Sequence, residues 1–365
     1  MLCPSSADEL AAALLEASSR KQAIRLGGLG TKRMMGGPLM PADVEISTAR
    51  MNRVLQYEPR DLTISVEAGL PFAELARTLA EHKQMVPLDP PWFEHCTVGG
   101  VVAANVSGPR RRLYGTARDA IIGMRFVTVE GTVVETGGTV VKNVAGLDMG
   151  KLMVGSFGTL AAIASVNFRL HPIPPQTRTF VQQFASAAAA VSARDGILNS
   201  QLQPSAIDIV KSGGVYRLAV QAGGSAAVLD RYTRDLGEME IVEGDAEAQL
   251  WREIREFTPE FLATHPEGAV ARVSCPLTEV ARVLESFPAR ALARAGNGVC
   301  YGYFDDWRTA GNRGVIEYAP QAAREKLELW PIDAASESNF AMMKKVKEMF
   351  DPQYLLNRRR LYGRL

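Results

Sequence analysis

The stretch TVGGVVAANVSGPRRRLYGTARD, residues 97–119, decides the fold. It begins with small and β-branched residues, including glycines at 99 and 100 and alanines at 103 and 104. Such residues leave the backbone amides accessible, so a ligand can approach the main chain closely. A Gly108-Pro109 turn, three consecutive arginines and Tyr114-Gly115 follow at once. A buried helix or strand packed through small residues is the alternative, but it does not explain the turn and the charges.

Length and composition indicate an ordinary soluble protein of two lobes or domains. A chain of 365 residues is longer than a single core usually grows, and its hydrophobic fraction of 47% is typical of globular proteins. The 41 basic and 40 acidic residues nearly cancel. This balance gives no electrostatic reason for binding nucleic acid or an anionic membrane surface, so we expect neither partner.

Cysteine usage and hydropathy predict a cytoplasmic protein. The cysteines at positions 3, 96, 275 and 300 form no C-x-x-C pair, so we expect no metal site and no cysteine-ligated iron–sulfur cluster. Isolated thiols fit a reducing cytosol. The acidic, amphipathic N-terminus is unlike a signal peptide, and no run approaches the roughly 18 apolar residues of a membrane span. We therefore expect no direct membrane insertion, and contact with the inner membrane only through a partner.

Local patterns predict an α+β protein. Ser5 or Ser6 with Asp8 or Glu9 is typical of a capping box, with a helix to about Ser18. A helix begins after Pro71, and a hairpin turns at Glu130-Gly131. In TISVEA (63–68), alternation predicts a strand with one apolar face. Further predicted strands are QAIRLGG, AAIASVNFRL, VYRLAVQAG, AVARVSCP and VCYGYFD, and further helices are EAQLWREIREF, LTEVARVLESF, AAREKLELW and SNFAMMKKVKEMF.

A proline-rich segment, HPIPP at 171–175, is the best boundary, because it continues neither a helix nor a central strand. An α+β region that is smaller and more polar follows it. The last predicted helix stops at Asp351-Pro352, before the basic tail NRRRLYGRL. The alanine-rich segment near residue 190 is either a helix or a flexible connector.

Two further glycine segments carry candidate chemistry. In LGGLGTKRMMGG (26–37), successive backbone N–H groups could form an anion site, although a plain loop stays open. Neither a Rossmann fingerprint nor a Walker A loop fits, because Arg33 replaces the third glycine and Lys32 is misplaced. In KLMVGSFGTLAAI (151–163), glycines bracket Ser156-Phe157. This pattern predicts either a turn with an exposed aromatic ring or a backbone strip along a flat heterocycle.

Four motifs, taken in order, resemble one known family. GGLGTK, PLDPPWFEHCTVGGVVAANVSGP, YGTARD and VVKNVAGLDMGKLMVGSFGTLAAI resemble the FAD-binding domain of the vanillyl-alcohol oxidase/PCMH-type family. Within it, the chain most resembles the FAD-binding E subunits of bacterial glycolate oxidases. The resemblance implies a PCMH-type FAD-binding domain of two α+β subdomains at 1–175 and a smaller α+β cap-like domain at 176–340. A C-terminal helix and tail at 341–365 would return to the FAD domain.

The resemblance also implies the residues that contact FAD. Backbone amides of the first glycine segment would hold the pyrophosphate, and the other segments would line the phosphates, ribityl chain, flavin and adenine. The implied cofactor-binding residues are Gly28, Leu29, Gly30, Thr31, Lys32, Pro90, Thr97, Gly99, Gly100, Ala103, Ser107, Gly108, Tyr114, Gly115, Asp119, Gly155, Gly158, Thr159 and Ile163.

Several positions depart from the family pattern. Some members tether FAD through His or Cys, but His95 and Cys96 are more typical of packing or surface, so we expect non-covalent FAD. Leu147 replaces a tyrosine, and Asn357 is followed by arginines instead of a proline–glycine turn, although it could still face the flavin. The histidine-rich motif of catalytic relatives is absent, so no catalytic residue is assigned. Arg110–Arg112 and the tail arginines are typical of solvated charges, and a subunit interface there is a hypothesis.

The resemblance implies an FAD-bearing subunit that supports oxidation of glycolate to glyoxylate, or of D-lactate-type 2-hydroxy acids. A homologous FAD-binding D-type subunit would oxidise the acid, and an iron–sulfur F-type subunit would accept electrons. One alternative is a stand-alone FAD-dependent 2-hydroxy-acid dehydrogenase that uses Arg118, Lys142 or Asn143. The other is a non-redox assembly subunit with structural FAD.

Overall fold

The computed structural model describes residues 1–138, 148–331 and 334–365, which form two lobes and a C-terminal segment. The first lobe contains α1 (Ala7–Ser19), β1 (Ile24–Gly27), β2 (Val44–Ser47), β3 (Val54–Glu58), β4 (Thr63–Glu67), α2 (Phe72–Ala80), β5 (Gln84–Met85), α3 (Val98–Ala104), α4 (Arg111–Tyr114), α5 (Ala117–Ala120), β6 (Ile121–Val127), β7 (Val133–Gly137), α6 (Met149–Met153), β8 (Ala162–Arg169) and β9 (His171–Pro172). Its main sheet has the order β3-β4-β8-β6-β7, while β1 pairs with β2 and β5 with β9.

The second lobe is built on an eight-stranded antiparallel sheet in the order β13-β10-β12-β11-β15-β16-β14-β17. Its elements are β10 (Gln176–Phe184), α7 (Ala187–Leu198), β11 (Ala206–Ser212), β12 (Val215–Gly224), α8 (Ala226–Leu236), β13 (Glu240–Val242), α9 (Gly244–Thr264), β14 (Ala269–Ser274), α10 (Val280–Ser286), β15 (Arg290–Arg294), β16 (Val299–Phe304), β17 (Val315–Tyr318) and α11 (Gln321–Lys326). The last helix, α12 (Ala334–Phe350), precedes the tail. The α+β prediction is confirmed.

Local signals set several of these elements. Ser6 caps α1, where its hydroxyl accepts from the Glu9 amide at 3.1 Å, and Glu9 in turn accepts from the Ser5 amide at 2.7 Å. The hairpin at Glu130-Gly131 is present as the β6–β7 pair. The alanine-rich segment is the helix α7, which buries Ala187, Ala190 and Val191 among other side chains. The connector alternative is therefore wrong.

Strand β4 differs from its prediction. All five of its residues are buried, not only those on the apolar face, because β4 lies inside the sheet between β3 and β8. Glu67 can be buried there because Arg53 donates to it from its backbone amide at 2.9 Å and from its guanidinium at 2.8 Å. Alternation of apolar and polar residues is typical of a strand with one exposed face. In β4 the second face is also buried, because neighbouring parts of the fold cover it.

The two lobes meet along the open edge of the larger sheet. The loop at 34–36 continues that sheet beyond β17, with Gly36 N donating to Glu317 O at 2.8 Å and Ala319 N to Met34 O at 3.1 Å. A second contact joins α9 to the loop before α3, where the Glu256 carboxylate accepts from the amides of Trp92 and Phe93 at 2.8 and 3.2 Å. These contacts position two neighbouring cavities.

The C-terminal segment packs on the first lobe. Ile24 N donates to Leu355 O at 2.8 Å, and Lys347 Nζ donates to Thr159 O at 2.6 Å. Among the described residues, none of the helices has the length and apolar character needed to cross a bilayer.

Candidate functional site

A cleft in the first lobe collects most of the predicted residues. We call it the glycine-lined cleft: it has a volume of about 1090 Å³ including its open mouth, and the loop after β1, helix α3, the start of β8 and the C-terminal tail form its walls. The predicted residues that line it are Gly28, Leu29, Gly30, Thr31, Lys32, Thr97, Gly99, Gly100, Ala103, Gly158 and Ile163. Three sequence segments that are far apart thus meet at one site.

The two glycines of the opening motif have different roles. A Cβ on Gly99 would lie 2.7 Å from Ala68 Cβ, so packing of α3 against the end of β4 requires a glycine there. A Cβ on Gly100 would meet only Thr97 Oγ1, at 3.1 Å. The tight-packing interpretation therefore holds for Gly99, whereas Gly100 faces the cleft. Thr97 caps α3, and its hydroxyl accepts from the Gly100 amide at 3.2 Å.

The cleft carries an excess of positive charge. Four of its lining residues, Arg25, Lys32, Arg33 and Arg360, are cationic, and the only acidic side chain in the described lining, Glu45, pairs with Arg25. Burial lowers the pKa of Lys32, whose Nζ lies 3.3 Å from Thr31 Oγ1 and 5.7 Å from the Trp92 ring centroid. Such cations gain from an anionic ligand, so the cleft fits a dinucleotide pyrophosphate.

Arg360 corrects a prediction. It was expected among solvated tail charges, and Arg358 and Arg359 are indeed exposed, but Arg360 is only 9% exposed. Its guanidinium donates to Gly37 O and, at 3.0 Å, to Lys32 O. Burial, followed by the nearby charges of Arg324 and Arg25, lowers its pKa to about 9. Arg360 thus adds an unneutralised charge beneath the glycine loop.

Asn357 positions two walls of the cleft. Its Oδ1 accepts from Leu26 N at 2.8 Å, and its Nδ2 donates to Leu26 O at 3.0 Å and to Phe157 O at 2.7 Å. It therefore ties the end of β1 to the third glycine segment. Phe157, one of whose predicted settings was an exposed turn, is instead buried against Tyr362 at a centroid distance of 5.6 Å.

A second cavity, which we call the arginine cavity, lies between the lobes and adjoins the first, because Ala104 lines both. It has a volume of about 910 Å³. Its charged and phenolic lining residues are Arg111, Arg255, Arg272, Arg294, Glu317, Tyr301, Tyr303, Tyr318 and Tyr362. The predicted residues Ser107 and Gly155 lie here. Arg111 belongs to the opening motif. The other charged and phenolic residues lie on α9, on strands β14 to β17 and in the tail, and no motif assigned them.

Several predicted residues line neither cavity. Tyr114 packs edge-on against His171, and Thr159 is buried, with its hydroxyl donating to Ser156 O at 2.7 Å. Asp119 caps α5 by accepting from the Thr116 amide at 2.8 Å. The remaining predicted residues are Pro90 and Gly108, which are buried, and Gly115, which is half-buried. A Cβ added to Gly108 would lie 2.3 Å from Asp89 O, and one added to Gly115 would lie 2.6 Å from Asp119 Oδ2. Packing and turn geometry account for these glycines.

The residues considered for covalent attachment also lie outside both linings. Cys96 is fully buried in the first-lobe core, and burial raises the pKa of its thiol to about 11. His95 is exposed. None of the four histidines, His82, His95, His171 and His265, lines either cavity. Lys142 and Asn143 lie outside the described residues, as does Leu147, while Arg118 is exposed and donates to Lys151 O at 3.1 Å.

Comparison with known families and relatives agrees with this geometry. Residues 1–137 match the FAD binding domain family, and residues 328–361, which include Asn357 and Arg360, match the C-terminal domain of FAD linked oxidases. Glycolate oxidase subunit GlcE of Escherichia coli K12 is 30% identical over 265 residues, 72% of this chain and 71% of that protein.

Other relatives are matched over only about half of their own length. Glycolate oxidase subunit GlcD of Bacillus subtilis is 28% identical over 58% of this chain, which covers 45% of its length. The mitochondrial D-lactate dehydrogenase [cytochrome] of Arabidopsis thaliana is 27% identical over 81% of this chain and 58% of its own length. A solved structure of alkyldihydroxyacetonephosphate synthase, 21% identical, has the same fold, with a TM-score of 0.73 over 98% of this chain and 76% of that chain.

The glycine-lined, positively charged cleft and these matches lead to one conclusion: the chain is an FAD-binding oxidoreductase of the PCMH-type FAD-linked oxidase family, to which glycolate oxidase subunits and D-lactate dehydrogenases also belong.

Proposed function

We propose that this chain is the FAD-bearing subunit of a glycolate oxidase-type complex that oxidises glycolate to glyoxylate or acts on D-lactate-type acids. The glycine-lined cleft, with its excess positive charge, carries the proposal. The similarity to GlcE over 71% of that subunit supports the choice of complex. A homologous D-type subunit and an iron–sulfur F-type subunit are the proposed partners. Isolated cysteines favour a cytoplasmic complex that reaches the inner membrane only through its partners.

The residues that line the cleft would hold the cofactor in distinct ways. Bound FAD would supply a redox centre that takes up electrons and passes them on. The backbone of Gly28–Lys32, which lines the cleft, would contact the phosphates, and the cations Lys32 and Arg360 would neutralise them. Gly100 and Ala103 leave α3 free of bulky side chains on the cleft side. On this proposal, residues 1–175 and the tail at 341–365 hold FAD, and residues 176–340 cover it.

The positions of the histidines favour oxidation of the acid by a partner subunit. Oxidation of a 2-hydroxy acid requires a base for the hydroxyl proton, and imidazole is the commonest such base. All four histidines lie away from both cavities, so none is placed for this role. We therefore propose that the D-type subunit oxidises the acid and that the flavin held here relays electrons to the iron–sulfur subunit.

A stand-alone 2-hydroxy-acid dehydrogenase is the second candidate, and the arginine cavity is the observation that favours it. Arginine side chains bind carboxylates, and this cavity adjoins the glycine-lined cleft. A non-redox role with structural FAD has no comparable observation in its favour.

Anaerobic visible spectra of the purified flavoprotein, before and after glycolate or D-lactate, test the proposal. We expect a flavin spectrum that stays oxidised with either acid alone and bleaches when the D-type subunit is added. Bleaching without the partner would support the stand-alone dehydrogenase. A flavin that stays oxidised in the assembled complex would support the structural role, and purification without flavin would overturn all three.

A further inference from the structure

We infer that the arginine cavity binds the carboxylate of a small acid in this chain itself, that Arg111 is the residue that binds it, and that the cavity prefers monocarboxylates to dicarboxylates. The inference rests on the proposed function for the class of ligand, a 2-hydroxy acid. It goes beyond that function by assigning an acid site to the subunit that was not expected to hold one.

Charge pairing singles out Arg111 among the arginines of the cavity. Arg294 forms a buried ion pair with Asp208, Arg255 pairs with Glu256 at 2.9 Å, and Arg272 lies 3.5 Å from Glu317. In the described part of the chain, no carboxylate lies within 4.0 Å of the Arg111 guanidinium. The charges of the three pairs cancel, so the described lining of the cavity carries one uncompensated positive charge.

The neighbours of Arg111 hold it in place. Arg110, the residue before it, forms an ion pair with Asp89, and Arg112, the residue after it, donates to Pro204 O in the second lobe at 3.1 Å. Helix α4 is thereby fixed to both lobes, and Arg111 faces the cavity between them. Because the backbone at Arg111 is fixed, only its side-chain freedom is lost when the guanidinium binds a carboxylate through two parallel hydrogen bonds.

Neutral donors complete the site. Tyr301 and Tyr303 line the cavity from the same face of strand β16, two residues apart. Burial raises the pKa of Tyr301 to about 12, so its phenol is protonated at neutral pH and can donate a hydrogen bond. Arg111, Tyr301 and Glu317 line the same cavity. The positive charge of Arg111 accordingly acts to lower the pKa of both Tyr301 and Glu317, against the larger effect of burial.

A second carboxylate on the ligand would find no second free cation among the described residues that line the cavity. It would lie in the same cavity as Glu317, whose charge already belongs to Arg272. An unpaired carboxylate in a partly buried site is costly, and a like charge nearby adds repulsion. The pairing therefore discriminates against acids such as 2-hydroxydicarboxylates.

Two probes that cannot be oxidised test this inference. Both 2-hydroxyisobutyrate, a monocarboxylate, and citramalate, a dicarboxylate, lack a hydrogen on the carbinol carbon, so they bind without reducing the flavin. Isothermal titration calorimetry of the FAD-loaded full chain measures each affinity. We expect 2-hydroxyisobutyrate to bind at least tenfold more tightly than citramalate.

Variants then assign the charge. Arg111→Gln should lower the affinity for 2-hydroxyisobutyrate by roughly 10- to 100-fold, because a charge-assisted hydrogen-bond pair is lost. Arg111→Lys keeps the charge, so it should retain the monocarboxylate preference even if Arg111→Gln fails to fold. Glu317→Gln adds a second net positive charge to the cavity. We expect this variant to reduce the ratio between the affinities for 2-hydroxyisobutyrate and citramalate at least tenfold. The exposed arginine of α2, changed as Arg77→Gln, is the matched control and should bind as the wild type does.

Three results would overturn the inference: unchanged binding of 2-hydroxyisobutyrate by Arg111→Gln, equal affinity for the two probes in the wild type, or no binding of either probe by the flavin-loaded chain. Visible spectra of each variant add a further check. If Arg111→Gln lost flavin but the residual holoprotein bound the acid normally, Arg111 would serve the cofactor instead. The proposed function fails separately, since it predicts bound FAD and partner-dependent bleaching whether or not an acid binds here.

Discussion

Gly27 and Gly28 are adjacent in sequence but differ in their surroundings. A Cβ added to Gly27 would meet no atom within 4 Å, whereas one added to Gly28 would lie 2.4 Å from Thr97 Oγ1 and 3.0 Å from Thr97 Cγ2. Thr97 cannot move without losing its cap on α3. The first glycine segment and the helix that faces it thus depend on each other through one contact.

We predict that Gly28→Ala lowers the free energy of unfolding by about 1–3 kcal/mol, because the methyl group overpacks Thr97 and disturbs the cap. Gly27→Ala is the matched control and should stay within about 0.5 kcal/mol of the wild type. Urea denaturation of the flavin-free proteins measures both. Equal stability of the two variants would show that the β1 loop yields freely and that the contact is not a constraint.

Three consecutive arginines show how much a residue depends on its setting. Arg110 forms an ion pair, Arg112 reaches across to the second lobe, and Arg111 faces the arginine cavity. The expectation that all three are solvated charges was wrong, since all three are half-buried. Because identical neighbours diverge only after the chain folds, their roles could not be assigned from the triplet itself. Whether any of them also meets a partner subunit stays a prediction.

At the scale of elements, helix α12 and the tail after it are joined by a buried polar network. Lys347 Nζ donates to Asp351 Oδ2 at 2.5 Å, to Thr159 O at 2.6 Å and to Leu356 O at 3.2 Å. Asp351 also accepts from the amides of Leu355 and Leu356 at 3.0 and 2.8 Å. The network fixes the start of the tail, which carries Asn357 into the glycine-lined cleft.

We predict that Lys347→Met destabilises the protein by about 3 kcal/mol, because the Asp351 carboxylate stays buried without its cation. FAD affinity should fall with it, since Asn357 and Arg360 follow the network in sequence. The exposed lysine on the same helix, changed as Lys344→Met, should leave both properties unchanged. Thermal unfolding and FAD titration of the two variants give the comparison. Unchanged FAD affinity in Lys347→Met would show that the position of the tail does not affect FAD binding.

At the scale of the whole molecule, the glycine-lined cleft belongs to the first lobe and the tail, whereas the large sheet belongs to the second lobe. Residues of the tail and of the β1 loop line the cleft together. Strand β12, inside the large sheet, pairs on both sides and buries five of its ten residues, and none of its residues lines the cleft. Binding in the cleft should therefore stabilise the two regions unequally.

We predict that removal of FAD accelerates amide hydrogen exchange in residues 28–32 and 355–361 and leaves residues 216–222 almost unchanged. The first two segments lose a ligand that binds only the folded cleft, while the third keeps its ladder hydrogen bonds. Exchange measured by mass spectrometry on flavin-loaded and flavin-stripped protein gives the answer. A uniform increase along the chain would mean that FAD stabilises both lobes as one unit.

Much of the fold followed from local sequence signals. The capping box at Ser6, the helix after Pro71 and the hairpin at Glu130-Gly131 each depend on residues within a few positions of one another. Strands β10, β11, β13, β15 and β17 were not predicted. The Gly213-Gly214 turn that joins β11 to β12 is a local hairpin signal that the prediction missed, and β15 likewise pairs with the strand that follows it. Strand β10 pairs with β12 and β13, and β17 pairs with β14, so these strands depend on more distant contacts.

The sequence by itself determined where three segments combine glycines with small residues, because the residue types that permit close backbone approach are visible in one dimension. Their resemblance to one family predicted that the three segments bind a single FAD. Tertiary structure alone decided which side chains complete the site. Arg360 and Asn357 reach the cleft from more than 300 residues away, and Arg111 meets Tyr301 and Glu317 only where the lobes touch. The physical reason is that burial and charge pairing are properties of neighbours in space, and a basic residue in the sequence does not reveal whether a carboxylate will lie beside it.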